Sequence, residues 1–149
     1  MKITVLGCGY VGLVTGSCFA KMGNDVMCVD IDKNRVSNLN KNIIPIYEPG
    51  LNEIISSSLS NSCLHFTTDI KSAIVNSDMI FIAVGTPMNK DGSSNLEYVQ
   101  NAALDIGEYI DNYKIIVTKS TVPVGTTKEV QSIISKKIKS RDLEIEFDI

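Results

Sequence analysis

The stretch MKITVLGCGYVGLVTGSCFAKMGNDVMCVDID, residues 1–32, decides the fold. Lys2 to Leu6 is a short β-rich run, and three glycines, Gly7, Gly9 and Gly12, follow it closely. From Val11 to Met22 the apolar residues recur at helical spacing until Gly23, a suitable helix stop. A second apolar run, Asp25 to Val29, leads to the acidic Asp30. The order is strand, glycine turn, helix, strand.

The same alternation continues outward from this unit. Lys33 to Asn40 reads as a short helix, Leu64 to Thr67 as a third strand and Asp69 to Asn76 as a helix. MIFIAVG, from Met79, is a continuous apolar strand, followed by an amphipathic helix from Leu96 to Ile110. YKIIVTKS, from Tyr113, is another strand, and Thr126 to Lys139 another helix. Continuous apolar strands separated by helices are buried on both sides, so the predicted class is α/β: a Rossmann-type, doubly wound, mostly parallel sheet with helices on both faces.

That placement gives the glycines distinct tasks. Gly7 makes the tight turn, Gly9 admits a pyrophosphate against the main chain, and Gly12 lets helix and strand approach closely. The free amides and dipole of the helix N-terminus then favour the phosphates without a lysine. Asp30 stands about twenty residues on, where a ribose-binding carboxylate belongs. A carboxylate accepts hydrogen bonds from a free 2′-hydroxyl and repels a 2′-phosphate, so NAD is expected over NADP. Arg35 leaves two readings open, since a nearby guanidinium can receive a phosphate or lie on the adenine face.

Two later loops fall at carboxyl ends of strands, the edge where open α/β sheets bind ligands. Gly85, Thr86 and Pro87 come just after the fourth strand, and Ser120, Thr121, Val122 and Pro123 just after the fifth. The expected cofactor-binding set is therefore Gly7, Gly9, Tyr10, Val11, Gly12, Asp30, Arg35, Val84, Gly85, Thr86, Pro87, Ser120 and Thr121. In PIYEPGLNEII, Glu48 and Pro49 make a helix start, with proline in the first turn and acid beside the positive end of the dipole. Tyr47 and Glu48 could neighbour the ligand, but are not counted among the site residues.

Composition narrows the function. With 149 residues, 44% of them hydrophobic, the chain suits one domain with a substantial core. The net charge is −3 and the lysines are scattered, which argues against nucleic acid and anionic membranes as partners. Apolar runs fall short of a signal peptide core or a membrane span, and the expected location is cytoplasmic. Cys8, Cys18, Cys28 and Cys63 lack metal-ligand spacing and are expected to be reduced, mostly buried thiols, with no metal site.

GCGYVGLVTGSCFAKMG, the D-I-D after the second strand, PIYEPGL, FTTDI, FIAVGTPMNKDG and VTKSTVPVGTT together resemble the N-terminal domain of the UDP-glucose 6-dehydrogenase family over nearly the whole chain. The resemblance implies two-step, NAD-dependent oxidation of a nucleotide sugar's C6 alcohol to a carboxylate through a cysteine-bound intermediate. It implies Val11 and the glycine loop on the pyrophosphate, Asp30 and Arg35 on the adenosine ribose, and Thr86 and Thr121 near the nicotinamide, Thr121 also helping to hold a water. None of the four cysteines matches the family's nucleophile. Residues 1–149 are thus expected to form the NAD-binding domain, with the central and C-terminal nucleotide-sugar domain absent, and to bind NAD without completing the chemistry. The resemblance further implies a homo-oligomer for the full-length enzyme. A GDP-mannose or other nucleotide-sugar dehydrogenase shares the fingerprint, and NAD-binding regulatory domains of potassium channels share its beginning. EPGL and KSTVPVGT argue against the latter.

Overall fold

The computed structural model describes all residues, Met1–Ile149. In chain order its elements are β1 (Lys2–Leu6), α1 (Tyr10–Lys21), β2 (Asp25–Val29), α2 (Lys33–Asn40), α3 (Leu51–Ser60), β3 (Leu64–Thr67), α4 (Ile70–Val75), β4 (Met79–Ile82), α5 (Glu97–Tyr109), β5 (Lys114–Thr118), α6 (Thr126–Ser140) and β6 (Phe147–Asp148). The six strands form one sheet in the order β3-β2-β1-β4-β5-β6, and every neighbouring pair is parallel. The chain moves outward from β1 to β3, returns to place β4 beside β1, then moves outward the other way. The switch point lies between the carboxyl ends of β1 and β4, where such sheets open a ligand crevice.

Strand side chains alternate between two cores. Ile3, Val5, Val26, Cys28, Phe66 and Phe81 meet Leu13 of α1, Leu39 of α2, and Leu51 and Ile55 of α3. Leu6, Val29, Ile80, Ile82 and Ile116 meet α4, α5 and α6 through residues such as Ile74, Ile106 and Ile134. Burial on both sides is why these strands read as continuous apolar runs rather than alternating ones. No helix is long and apolar enough to cross a membrane.

Two expectations are corrected and one strand is added. The helix expected to start at Glu48 and Pro49 begins at Leu51, because Gly50 occupies the left-handed region at φ 81° and Leu51 N–H closes a turn onto Glu48 O at 3.1 Å. Residues 147–148 form a sixth strand beside β5, too short to carry a periodic signal. The thiols are not mostly buried: Cys8 and Cys28 are, but Cys63 is half-buried and Cys18 exposed on the outer side of α1.

The opposite end of the sheet is held by an unusual group. The Lys114 side chain is 0% exposed, and its ammonium donates to Val75 O at 3.1 Å, Ser77 O at 2.7 Å and Asn112 Oδ1 at 2.9 Å. Three acceptors and Asp111 at 3.5 Å compensate the buried charge and tie β5 to the turn before β4.

Candidate cofactor-binding site

The three glycines of the first turn sit at the switch point, each in a different steric environment. Gly7 has φ +104°, and a Cβ there would lie 2.7 Å from Ala83 O, so the β1 turn presses directly on the end of β4. A Cβ on Gly12 would lie 1.8 Å from Gly7 O, which fixes how closely α1 returns to the turn. At Gly9 a Cβ would meet nothing within 4 Å. The first and third glycines are required by the protein's own packing, whereas the second leaves its space open to an incoming group. That open cradle is the local test of a dinucleotide, and these residues fit one.

Helix α1 starts from this loop without a side-chain cap and with no acidic residue in its first turn. Its first backward hydrogen bond is Leu13 N–H to Gly9 O, at 2.9 Å, so the amides ahead of Leu13 point out at the helix's positive end. An anion there gains both hydrogen bonds and the dipole. By contrast α2 and α4 are capped by the carboxylates of Asp32 and Asp69.

Asp30 is therefore not a helix cap. Its carboxylate receives Cys8 N–H at 2.8 Å and Arg35 Nη1 at 2.9 Å on Oδ2, and Asp32 N–H at 3.0 Å on Oδ1. One buried acid thus links the glycine loop to the end of β2 and the start of α2. Burial by itself pushes the Asp30 carboxyl up, but the amides of Asp32 and Cys8 and the Arg35 guanidinium outweigh it and hold it below the usual carboxylate range. A carboxyl whose folded value is lowered stabilises the fold above its unfolded value, and that contribution drains away as pH falls through the folded value. Thermal melts from neutral pH down to about pH 3 should therefore show Asp30→Asn losing less stability on acidification than the parent. An identical acid dependence would contradict the arrangement.

The buried Cys8 thiol is pushed up, first by its hydrogen bond to Cys28 and then by burial and the charge of Asp30. It packs beneath the loop as a neutral thiol.

The loops after β4 and β5 are braced to each other. Ser120 Oγ donates to Val84 O at 2.7 Å, and Thr86 Oγ1 donates to Thr121 O at 3.0 Å. The amides of Lys119 and Ser120 both reach Ile82 O, at 2.8 and 3.0 Å. Ala83 and Val84 lie beside Gly7, so this brace meets the glycine turn directly. The hydroxyls of Thr86 and Ser120 donate their protons to brace the two loops and keep acceptor lone pairs, whereas the Thr121 hydroxyl has no hydrogen-bond partner in the protein.

Reading the residues in sequence missed a contact on the other side. The Tyr10 hydroxyl donates to the Glu48 carboxylate, which ties PIYEPGL to the first turn of α1. It also missed Gly16, where a Cβ would lie 2.5 Å from Cys28 Sγ, so α1 needs a further glycine to lie against β2. The G-x-x-x-G spacing of Gly12 and Gly16 was the available signal. A cavity of about 560 Å³ opens at the amino-terminal edge of the sheet, lined by Lys2, Asp25, Asp78 and Asn112 among others, far from the glycine turn. It is an open polar gap between the turns that feed the strands.

The family model for the UDP-glucose/GDP-mannose dehydrogenase family, NAD binding domain, matches residues 1–149. The chain belongs to this family. The domain this family model describes binds NAD. Among curated proteins, the chain is 56% identical over 140 residues to UDP-glucose 6-dehydrogenase TuaD of Bacillus subtilis (strain 168), covering 94% of this chain and 30% of that protein. It is 49% identical over 146 residues to UDP-glucose 6-dehydrogenase of Rhizobium meliloti (strain 1021), covering 97% of this chain and 33% of that protein. Among solved structures it matches a ternary complex of GDP-mannose dehydrogenase from Pseudomonas aeruginosa with TM-score 0.90 and 32% identity, over 99% of this chain and 35% of the other. A UDP-glucose dehydrogenase from Pyrobaculum islandicum gives TM-score 0.90 and 36% identity over 98% and 34%. The chain spans about a third of the length of the curated relatives it matches.

Proposed function

We propose that this chain is the NAD-binding part of a UDP-glucose 6-dehydrogenase, which oxidises UDP-glucose to UDP-glucuronate for polysaccharide precursors in the cytoplasm, as a homo-oligomer when full-length. The observation that carries the cofactor half of this reading is the contrast between Gly9, open, and Gly7 and Gly12, filled by the protein itself. The sugar half rests on 56% and 49% identity to proteins named UDP-glucose 6-dehydrogenase. The equal TM-score of 0.90 to GDP-mannose dehydrogenase keeps another nucleotide sugar as the second reading.

In this reading the amides from Gly9 to Gly12 hold the pyrophosphate, and Asp30 with Arg35 meets the adenosine ribose. Val84, Gly85, Thr86, Pro87, Ser120 and Thr121 form the wall toward the nicotinamide. The braces from Thr86 to Thr121 O and from Ser120 to Val84 O make that wall rigid, so the chain's task is orientation. The chemistry supplied there by bound NAD would be acceptance of the hydride lost in oxidation at C6 of the sugar. Thr121 carries the hydroxyl suited to hold a water beside the reacting carbon. The sugar pocket and the cysteine nucleophile belong to a further domain of nucleotide-sugar-binding type.

Absorbance at the NADH band tests the division of labour. The 149-residue chain, given excess NAD and UDP-glucose, should produce no NADH. Sustained production that is abolished by Thr121→Ala would place the whole chemistry in this domain and overturn the proposal.

A further inference from the structure

We infer that Glu48 is a positioning residue for the cofactor: through the Tyr10 hydroxyl it fixes the exposed turn whose amides receive the pyrophosphate. The inference rests on the reading of the crevice as an NAD site and deepens it. Most of the glycine loop is held by backbone contacts. Gly7 N–H donates to Val29 O at 2.8 Å, Cys8 N–H donates to Asp30 Oδ2 at 2.8 Å, and Gly12 is wedged against Gly7 O. The residues between, Gly9, Tyr10 and Val11, are all exposed, and a Cβ at Gly9 would touch nothing within 4 Å. Their amides include those that α1 leaves free, so the part of the loop that must meet the anion is the part that packing secures least. One hydrogen bond joins these residues to a distant stretch of the chain, from the Tyr10 hydroxyl to the Glu48 carboxylate.

The segment that carries Glu48 is placed by packing rather than by its own hydrogen bonds. Ile44 to Pro49 lie outside any helix or strand, and none of their amides donates within the protein. Ile44 and Ile46 rest on the core that α1 and α3 share, and Leu51 N–H closes onto Glu48 O where α3 begins. Glu48 therefore arrives half-buried at the carboxyl edge of the sheet, beside the first turn of α1. Its hydrogen bond holds the Tyr10 phenol above the usual phenol range, so the hydroxyl keeps the proton it donates. Tyr10 is thus fixed at both ends, by its backbone in α1 and by its hydroxyl on the segment before α3. Anchoring residue 10 limits the excursions open to Gly9, and a cradle already ordered has less entropy to lose when the anion arrives.

Two other roles for Glu48 predict different results. A carboxylate acting only by its charge would oppose the pyrophosphate, so Glu48→Ala and Glu48→Gln would both tighten NAD binding. A merely structural contact would lower the melting temperature and leave the affinity of the folded domain unchanged. The tether predicts that Tyr10→Phe and Glu48→Ala each weaken NAD about three- to tenfold, the value of one hydrogen bond, and that the double variant loses no more than either. Glu48→Gln, which keeps an acceptor for the hydroxyl, should recover most of what Glu48→Ala loses. Calorimetry reads the affinities and thermal melts the folding. NMR relaxation of the backbone amides in the ligand-free domain gives a readout independent of NAD: Tyr10 and Val11 should gain fast motion in Tyr10→Phe and Glu48→Ala while Gly12 does not. Unchanged or tighter NAD binding in the folded single variants, additive losses in the double variant, or loop amides as rigid as the parent's would each overturn the inference. Failure of the parent itself to bind NAD would instead overturn the reading of the crevice, and the cofactor role of Glu48 with it, while the relaxation result still decides whether the tether orders the loop.

Discussion

Gly9→Val should weaken NAD binding at least about a hundredfold while the domain stays folded. The loss follows from two or more charge-assisted hydrogen bonds between loop amides and the pyrophosphate, each worth about 1.5–3 kcal/mol, which a branched side chain in the open cradle would prevent. The fold survives because nothing in the protein lies within 4 Å of a Cβ at this position, and Gly9 has no left-handed backbone angle to lose. Calorimetry reads the binding and circular dichroism the fold. Normal NAD affinity in this variant would show that the glycine loop does not hold the pyrophosphate.

Gly12→Ala should do the reverse, acting on the fold before it acts on the ligand. The added Cβ falls 1.8 Å from Gly7 O, and the obstructing atom is backbone at a turn that is itself pressed against Ala83. No flexible tip can move aside, so α1 must lift from β1 and the switch point opens. The expected loss is about 3 kcal/mol or more, at the upper end for overpacking, and a fall in Tm of about 6–12 °C for a domain of this size. Gly85→Ala is the control, since a Cβ there also meets nothing within 4 Å. Equal melting temperatures for the parent and Gly12→Ala would mean that the close return of α1 is not what holds the turn.

The contrast between these glycines explains how much was readable before the structure. The strand-turn-helix order, the tasks of Gly7, Gly9 and Gly12, and the place of Asp30 all follow from local spacing, because apolar periodicity and backbone sterics act over a few residues. Most strands and helices lie within a residue or two of their expected bounds for the same reason, while the run expected to continue to Gly85 ends as β4 at Ile82. What was hidden depends on partners far along the chain. Lys114 reads as a polar strand end, yet it is buried by carbonyls 37 and 39 residues away. Ser120 and Thr86 read as hydroxyls offered to a ligand, yet their acceptors are main-chain carbonyls of each other's loops. Tyr10 and Glu48 are 38 residues apart, and only the packing of α3 against α1 brings them together. In D-I-D, two acids at adjacent turns share the work in a way their order does not reveal: Asp32 caps α2 while Asp30 serves the glycine loop and Arg35.

The most direct test of the account is a calorimetric titration of the unmodified 149-residue chain with NAD and, separately, with NADP. The crevice at the carboxyl ends of β1 and β4, with Gly9 open and Asp30 paired to Arg35, predicts a single NAD site and markedly weaker binding of NADP. Absence of NAD binding, or equal affinity for the two dinucleotides, would contradict it.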